Sequence, residues 1–277
     1  MLRRYLCLCL LCLCCVAVPV NAAGITNFSK LVTADYWIEN NTDEDTIILD
    51  AEGIAKLNAE VRKKTPAVYD LENYPATIKG RNLKSMLTNF EALEEDLYLR
   101  GNKVSDNYKN ILRSLVNTKA VTQEVAVQYA VVVKRANLRN LPTGEALYYF
   151  AADNNFDALQ ETALDPCEPV IVLHTSENKQ FHYVQAANYR GWISVYDIAY
   201  TDRDTWLQFL KPKHFVVVVG KSIKLKTWND NVEYQLGSRI PVSSEDNKSY
   251  VLNVPGRNKN GNLEKVKVKV AKNASLA

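Results

Sequence analysis

The sequence predicts an α+β multidomain chain, a helical N-terminal domain followed by two small β-barrels. Three observations lead there. Apolar residues recur at helical spacing up to about Asn117, and after Lys119 short β-branched and aromatic runs separated by turn residues replace them. Those runs form two sets of similar length on either side of residues 206–212. At 277 residues, with 47% hydrophobic side chains, the chain exceeds the roughly 100–200 residues of one domain. The expected borders are a signal peptide over 1–22, a helical domain over 23–120, a first barrel over 121–205 and a second over 206–277.

The first element is a targeting segment. Arg3 and Arg4 precede an uncharged apolar stretch from Leu6 to Val20, and Asn21-Ala22-Ala23 supplies a small-residue exit. The stretch is shorter than the roughly 20 residues a membrane span needs. Cleavage is expected after Ala22 or Ala23, with export to the periplasm or cell envelope and no membrane span afterwards. Cys7, Cys9, Cys12, Cys14 and Cys15 would leave with the signal, so Cys167 alone would remain and no disulfide framework would form within one chain. Neither Leu11-Cys12 nor Cys14-Cys15 offers the small residue that lipidation requires. Without Arg3 and Arg4, two of the 34 Lys+Arg, 32 remain against 31 Asp+Glu. That balance carries no polyanion signature, and nucleic acid is not an expected partner.

Three helices follow. Ile54, Leu57 and Val61 share a helical face, with Asp50 as cap, Leu49 and Ile54 as a staple, Lys63 and Lys64 at the negative end and Pro66 as the stop. Leu83, Met86, Leu87 and Phe90 mark a second helix. Tyr108, Ile111, Leu112 and Leu115 mark a third, behind a candidate cap at Ser105.

The first β-set comprises 129–133, 169–174, 181–185 and 191–194, each bounded by Gly, Pro, Asn or Asp. A short β-domain hides its edges most economically by closing into a barrel. The second set runs through 215–219, 222–227, 239–242 and 249–254, and 206–212 reads as a linker ending at Pro212. Val266, Val268 and Val270 alternate with Lys265, Lys267 and Lys269, which describes a half-buried strand with a solvated lysine face.

A search for chemistry returns little. Cys167 sits between two prolines in Asp165-Pro166-Cys167-Glu168-Pro169, a tight turn whose carboxylates disfavour the thiolate a nucleophile needs. His174, His182 and His214 lack ligand spacing for a metal. The clusters 43–45 and 94–96 read as solvated acidic faces, and no Gly-rich phosphate loop is present. No catalytic residue, metal or cofactor is therefore expected. Arg135, Asn137, Arg139, Tyr189, Arg190 and Trp192 combine aromatic faces with forked guanidinium donors, a chemistry suited to sugars and peptide carboxylates such as a peptidoglycan stem offers. Arg135, Arg139, Tyr189 and Trp192 are the candidate binding residues, although Trp192 also reads as a core aromatic.

The run VKRANLRNLPT from Val133 to Thr143 resembles the opening of a bacterial SH3 domain of NlpC/P60-type cell-wall peptidases. Leu159 to Pro166, Glu168 to His174 and Tyr189-Arg190-Gly191-Trp192-Ile193 extend the resemblance. Tyr36-Trp37-Ile38 with the Asp50 helix is similar to the stabilising domain of that family, and 237–242 to its second SH3 module. The resemblance implies SH3-like folds for both barrels. It also implies a following papain-like domain with an Asp-Cys-Ser-Gly-like nucleophile motif, which Cys167 does not match. Two readings follow. One is the non-catalytic accessory region of a peptidoglycan (γ-D-glutamyl-diamino acid) endopeptidase, truncated or partnered with a separately encoded catalytic domain, that recognises stem peptides. The other is a free-standing cell-wall-binding adaptor.

Overall fold

The computed structural model describes residues 28–277 except 42, 44, 66, 228–230 and 274. The predicted signal and its cysteines, and the stop at Pro66, lie outside the described residues. The chain divides into two compact units, residues 1–57 and 58–277.

In the first unit, α1 (Phe28–Leu31) and α2 (Ala34–Glu39) precede α3 (Ala51–Lys64), within which the border falls. The predicted cap is made, since the Asp50 carboxylate accepts from the Gly53 N–H at 2.7 Å. No described residue of this unit is buried.

In the second unit, β1 (Thr77–Lys79) runs straight into α4 (Gly80–Leu87). A hairpin of β2 (Tyr98–Leu99) and β3 (Asn102–Lys103) then leads to α5 (Asp106–Leu115). Ser105 caps α5 as expected, accepting from the Tyr108 N–H at 3.3 Å. The chain then returns as β4 (Glu124–Ala126), antiparallel to β1 with Ile78 opposite Val125. The all-helical expectation for this stretch is corrected here: it is mixed, and Leu83, Leu87 and Leu112 belong to one buried cluster with Ile171 and Trp192 of the following sheet. Burying one face of each short helix against that sheet supplies the stability the helices lack alone.

That sheet has seven antiparallel strands: β5 (Gln128–Val132), β6 (Ala136–Arg139), β7 (Gln160–Leu164), β8 (Pro169–Thr175), β9 (Phe181–Gln185), β10 (Arg190–Ser194) and β11 (Ile198–Thr201). Their order is β11-β5-β8-β9-β10-β6-β7. Both faces are buried. Val170, Val172, Val184 and Ile193 point into an inner cluster, whereas Ile171, Leu173, Tyr183 and Trp192 point into the outer one. Period-two geometry with both faces covered explains why 170–173 reads as a continuous apolar run. Gly191 admits close approach of β6, because a Cβ there would stand 2.7 Å from the Arg139 carbonyl oxygen.

The expected linker over 206–212 is instead largely helical. In α6 (Arg203–Leu210) the Asp202 carboxylate accepts from the Thr205 N–H at 2.7 Å. Trp206 is fully buried, and its Nε1 donates to the Val170 carbonyl at 3.1 Å. A cap four residues ahead of an apolar Trp206, Phe209, Leu210 pattern is the sequence signal for this helix.

Six strands follow: β12 (Phe215–Val217), β13 (Ser222–Lys226), β14 (Asn231–Gln235), β15 (Arg239–Glu245), β16 (Ser249–Arg257) and β17 (Leu263–Ala271). They form a four-stranded sheet, β12-β15-β16-β17, and a β13-β14 hairpin. Along β17, Val266 is buried and Val268 and Val270 are half-buried, while Lys265, Lys267 and Lys269 are exposed. Three lysines of this edge have partners, Lys265 on Gln208, Lys269 on Asp246 and Lys272 on Glu245. The few helices and several antiparallel sheets are consistent with SH3-like β domains.

Candidate functional site

The turn between β9 and β10 presents the site. Arg190 pairs with Gln185 in register, and the Ala186 N–H donates to the Tyr189 carbonyl at 2.8 Å. The fully buried Gln185 amide ties the turn from within, its Nε2 donating to the Ala186 and Tyr189 carbonyls at 2.7 and 3.1 Å. That bracing holds Tyr189 outward, 38% exposed. The neighbouring chain is latched on by the Tyr69 N–H, which donates to the Ala187 carbonyl at 2.8 Å.

Between this turn, the end of α4 and the chain around Tyr69 lies a cavity of about 520 Å³ whose walls include Tyr69, Asn140, Glu161, Tyr189, Arg190 and Trp192. Trp192 forms its floor, packed at 5.3 Å against Tyr183 and 6.2 Å against His174. The Tyr183 hydroxyl donates to the Met86 carbonyl at 3.3 Å, and burial pushes its pKa up to about 12. Arg190 stands 4.9 Å from the centre of the Tyr69 ring and donates to the Tyr69 hydroxyl. Among the described residues no carboxylate is ion-paired with it.

A second hollow of about 330 Å³ shares Asn89, Asn140 and Glu161 with the first and adds Glu91, Glu95 and Tyr149. Its rim is the long connection from β6 to β7, which carries Tyr149, Phe150 and Phe156 in exposed positions. Arg139 holds that connection. Its guanidinium donates to the Asp157 carboxylate at 2.6 Å and to the Glu145 carbonyl at 2.7 Å, and Asp157 also accepts from the Leu147 and Leu159 N–H groups.

Of the four predicted binding residues, the structure brings Tyr189 and Trp192 to one cavity and places the two arginines elsewhere. Arg139 is 4% exposed with its charge spent on Asp157, so its reading as a surface ligand contact is corrected to an internal brace. Arg135 does not line the cavity; it pairs with Asp165, whose other oxygen accepts from Ser238 at 2.7 Å, and so joins the two β-regions. Trp192 is 1% exposed and belongs to the outer core cluster, in keeping with its reading as a core aromatic. The sequence reading does not point to Tyr69, Asn140 or Glu161, and Arg190 is not among its four candidates. Period-two spacing puts Arg190 on the same face of β10 as Trp192, which was the available signal.

Cys167 is buried and adopts a left-handed φ of 76°. Burial pushes its thiol up to about 12, with Glu168 adding to the rise, and the nearest polar partner is the Tyr234 hydroxyl at 3.8 Å. Such a group does not supply a thiolate near neutral pH. His174 Nε2 sits 3.1 Å from the Val116 and Asn117 carbonyls, and His182 bridges Thr175 and Tyr200. Among the described residues no cluster of three or more His, Cys, Asp or Glu forms a metal site.

The fold and site define an α+β protein that carries a small β-domain with a tyrosine- and arginine-lined hollow on its outer face. Residues 148–194 of that domain, from the rim connection through β10, match the family model of an SH3 domain of SH3b1 type. Among solved structures, the chain is similar to one described as "Insights into a novel NlpC/P60 Endopeptidase from Photobacterium damselae subsp. piscicida", with a TM-score of 0.62 and 20% identity. The likeness covers 83% of this chain and 53% of that one, so the chain spans about half the length of its structural relative. No curated protein matches. Among the described residues no helix is long and apolar enough to cross a membrane.

Proposed function

We propose that this protein is an exported accessory region of peptidoglycan-cleaving peptidase machinery, recognising or positioning cell-wall stem peptides for an NlpC/P60-type catalytic domain. One observation carries the reading. The SH3b1-type match falls on the strands that build the hollow, inside a fold that follows an NlpC/P60 endopeptidase over most of the chain. The chemistry agrees with it, because an exposed tyrosine beside a guanidinium offers a stacking face and a carboxylate fork together. Periplasmic or envelope localisation belongs to the same proposal.

Co-sedimentation of the purified protein with insoluble peptidoglycan tests it. The protein is expected in the pellet, with Tyr189→Ala lowering the pelleted fraction several-fold at unchanged thermal stability. Protein that stays in the supernatant refutes cell-wall recognition. Binding that persists unchanged in Tyr189→Ala moves the site away from this turn.

A further inference from the structure

The two hollows meet along Asn89, Asn140 and Glu161, and their joined walls are polarised. Arg190 lies at one end. It is half-buried, one of its donors is taken by the Tyr69 hydroxyl, and no carboxylate among the described residues is ion-paired with it. The surrounding phenols do not compensate the charge, since burial raises the pKa of both Tyr74 and Tyr183 and keeps them neutral. A guanidinium withdrawn from water normally has an anion in its fork. At the other end Glu91 and Glu95 line the second hollow, and neither is ion-paired with a described cation.

We infer that the two hollows form one groove for an extended peptide, with a ligand carboxylate in the fork of Arg190 and a ligand ammonium toward Glu91 and Glu95. The polarity follows from the walls alone. That the peptide is a cell-wall stem rests on the proposed function above.

Isothermal titration calorimetry on the purified full chain tests both levels. The probes are the stem tripeptide L-Ala-γ-D-Glu-L-Lys, the same peptide with its carboxylates amidated, its form acetylated on both amines, and Ala-Ala-Ala. Amidation is expected to weaken binding about tenfold or more. Arg190→Gln should bring the free acid down to the level of the amide, with Arg190→Lys in between. Acetylation should weaken binding to the natural chain and make little difference to a Glu91→Gln, Glu95→Gln double variant. Equal affinity for the free acid and the amide overturns the inference, and because that comparison alters only the ligand, it stands even if a variant folds poorly. The absence of measurable binding to any of the peptides overturns it as well. Arg190-dependent binding of Ala-Ala-Ala without retention on insoluble peptidoglycan supports the groove and refutes the cell-wall reading. Retention on peptidoglycan with no effect of amidation does the reverse.

Discussion

Acidification should destabilise this protein through one histidine before its carboxylates are fully protonated. His182 on β9 is 8% exposed, with Nδ1 3.0 Å from the Thr175 hydroxyl and Nε2 2.8 Å from the Tyr200 hydroxyl. Burial, with the Arg257 guanidinium adding to it, lowers its pKa from 6.5 to about 4. An imidazole whose folded-state pKa lies below its unfolded value contributes stability that is present above pH 6.5 and lost as the pH falls toward 4. At 1.36 kcal/mol per unit, the loss attributable to this ring reaches about 2 kcal/mol by pH 5. Tyr200 and Thr175 do not offset it, because a hydroxyl that accepts from the second ring nitrogen does not replace the hydration of the imidazolium. Urea denaturation followed by tryptophan fluorescence at pH 7 and pH 5 measures the loss, and His182→Gln isolates it. The variant keeps a side chain that can bond both hydroxyls and lacks the titration. The natural chain should lose about 2 kcal/mol more than the variant between the two pH values. Equal losses would refute the assignment of acid sensitivity to His182.

Three further outcomes follow from the packing. Trp206→Ala should destabilise the protein by about 3–5 kcal/mol, since it empties a fully buried site and removes the indole hydrogen bond to the Val170 carbonyl; a midpoint in urea near that of the natural chain would contradict the docking of α6. Arg139→Met should cost about 3 kcal/mol in thermal or urea unfolding, because the Asp157 carboxylate loses its buried counter-charge. A stable Arg139→Met protein that had lost peptidoglycan binding would instead return this arginine to the ligand surface. Cys167 should resist a thiol-specific maleimide at pH 8 in the native protein and react fully in denaturant, as a buried thiol pushed up to about 12 requires; rapid native labelling would show that the turn opens.

Much of the secondary structure was legible from local signals. Asp50 and Ser105 announced helix starts that the structure makes with the expected side-chain bonds, and the lysine and valine alternation of β17 is reproduced residue by residue. The β-runs were placed correctly because β-branched and aromatic side chains between turn residues favour the pleated chain wherever it packs. The binding site was only half legible. Tyr189 and Trp192 were in view and do share a cavity, but Tyr69 and Asn140 reach it from positions 120 and 49 residues before Tyr189, a proximity no local pattern encodes.

Arg139 shows why the remainder was hidden. The pairing of β6 with β7 shifts register between Leu138 and Arg139, and both of these consecutive residues are buried. A bulge breaks the period of two on which any inside-or-outside assignment depends. The 170–173 run shows the same limit from the other side, since its apolar residues announced a strand but not that each face would meet a different core. Two helix caps and the more apolar strands thus follow from the sequence by itself, because caps, turns and side-chain periodicity act over a few residues, whereas the helix at Arg203–Leu210 and the strands β6, β7, β11 and β14 escaped it. Which arginine is a strut and which faces a groove was decided only by the tertiary structure, because charge burial and ligand access depend on chain segments far apart in sequence.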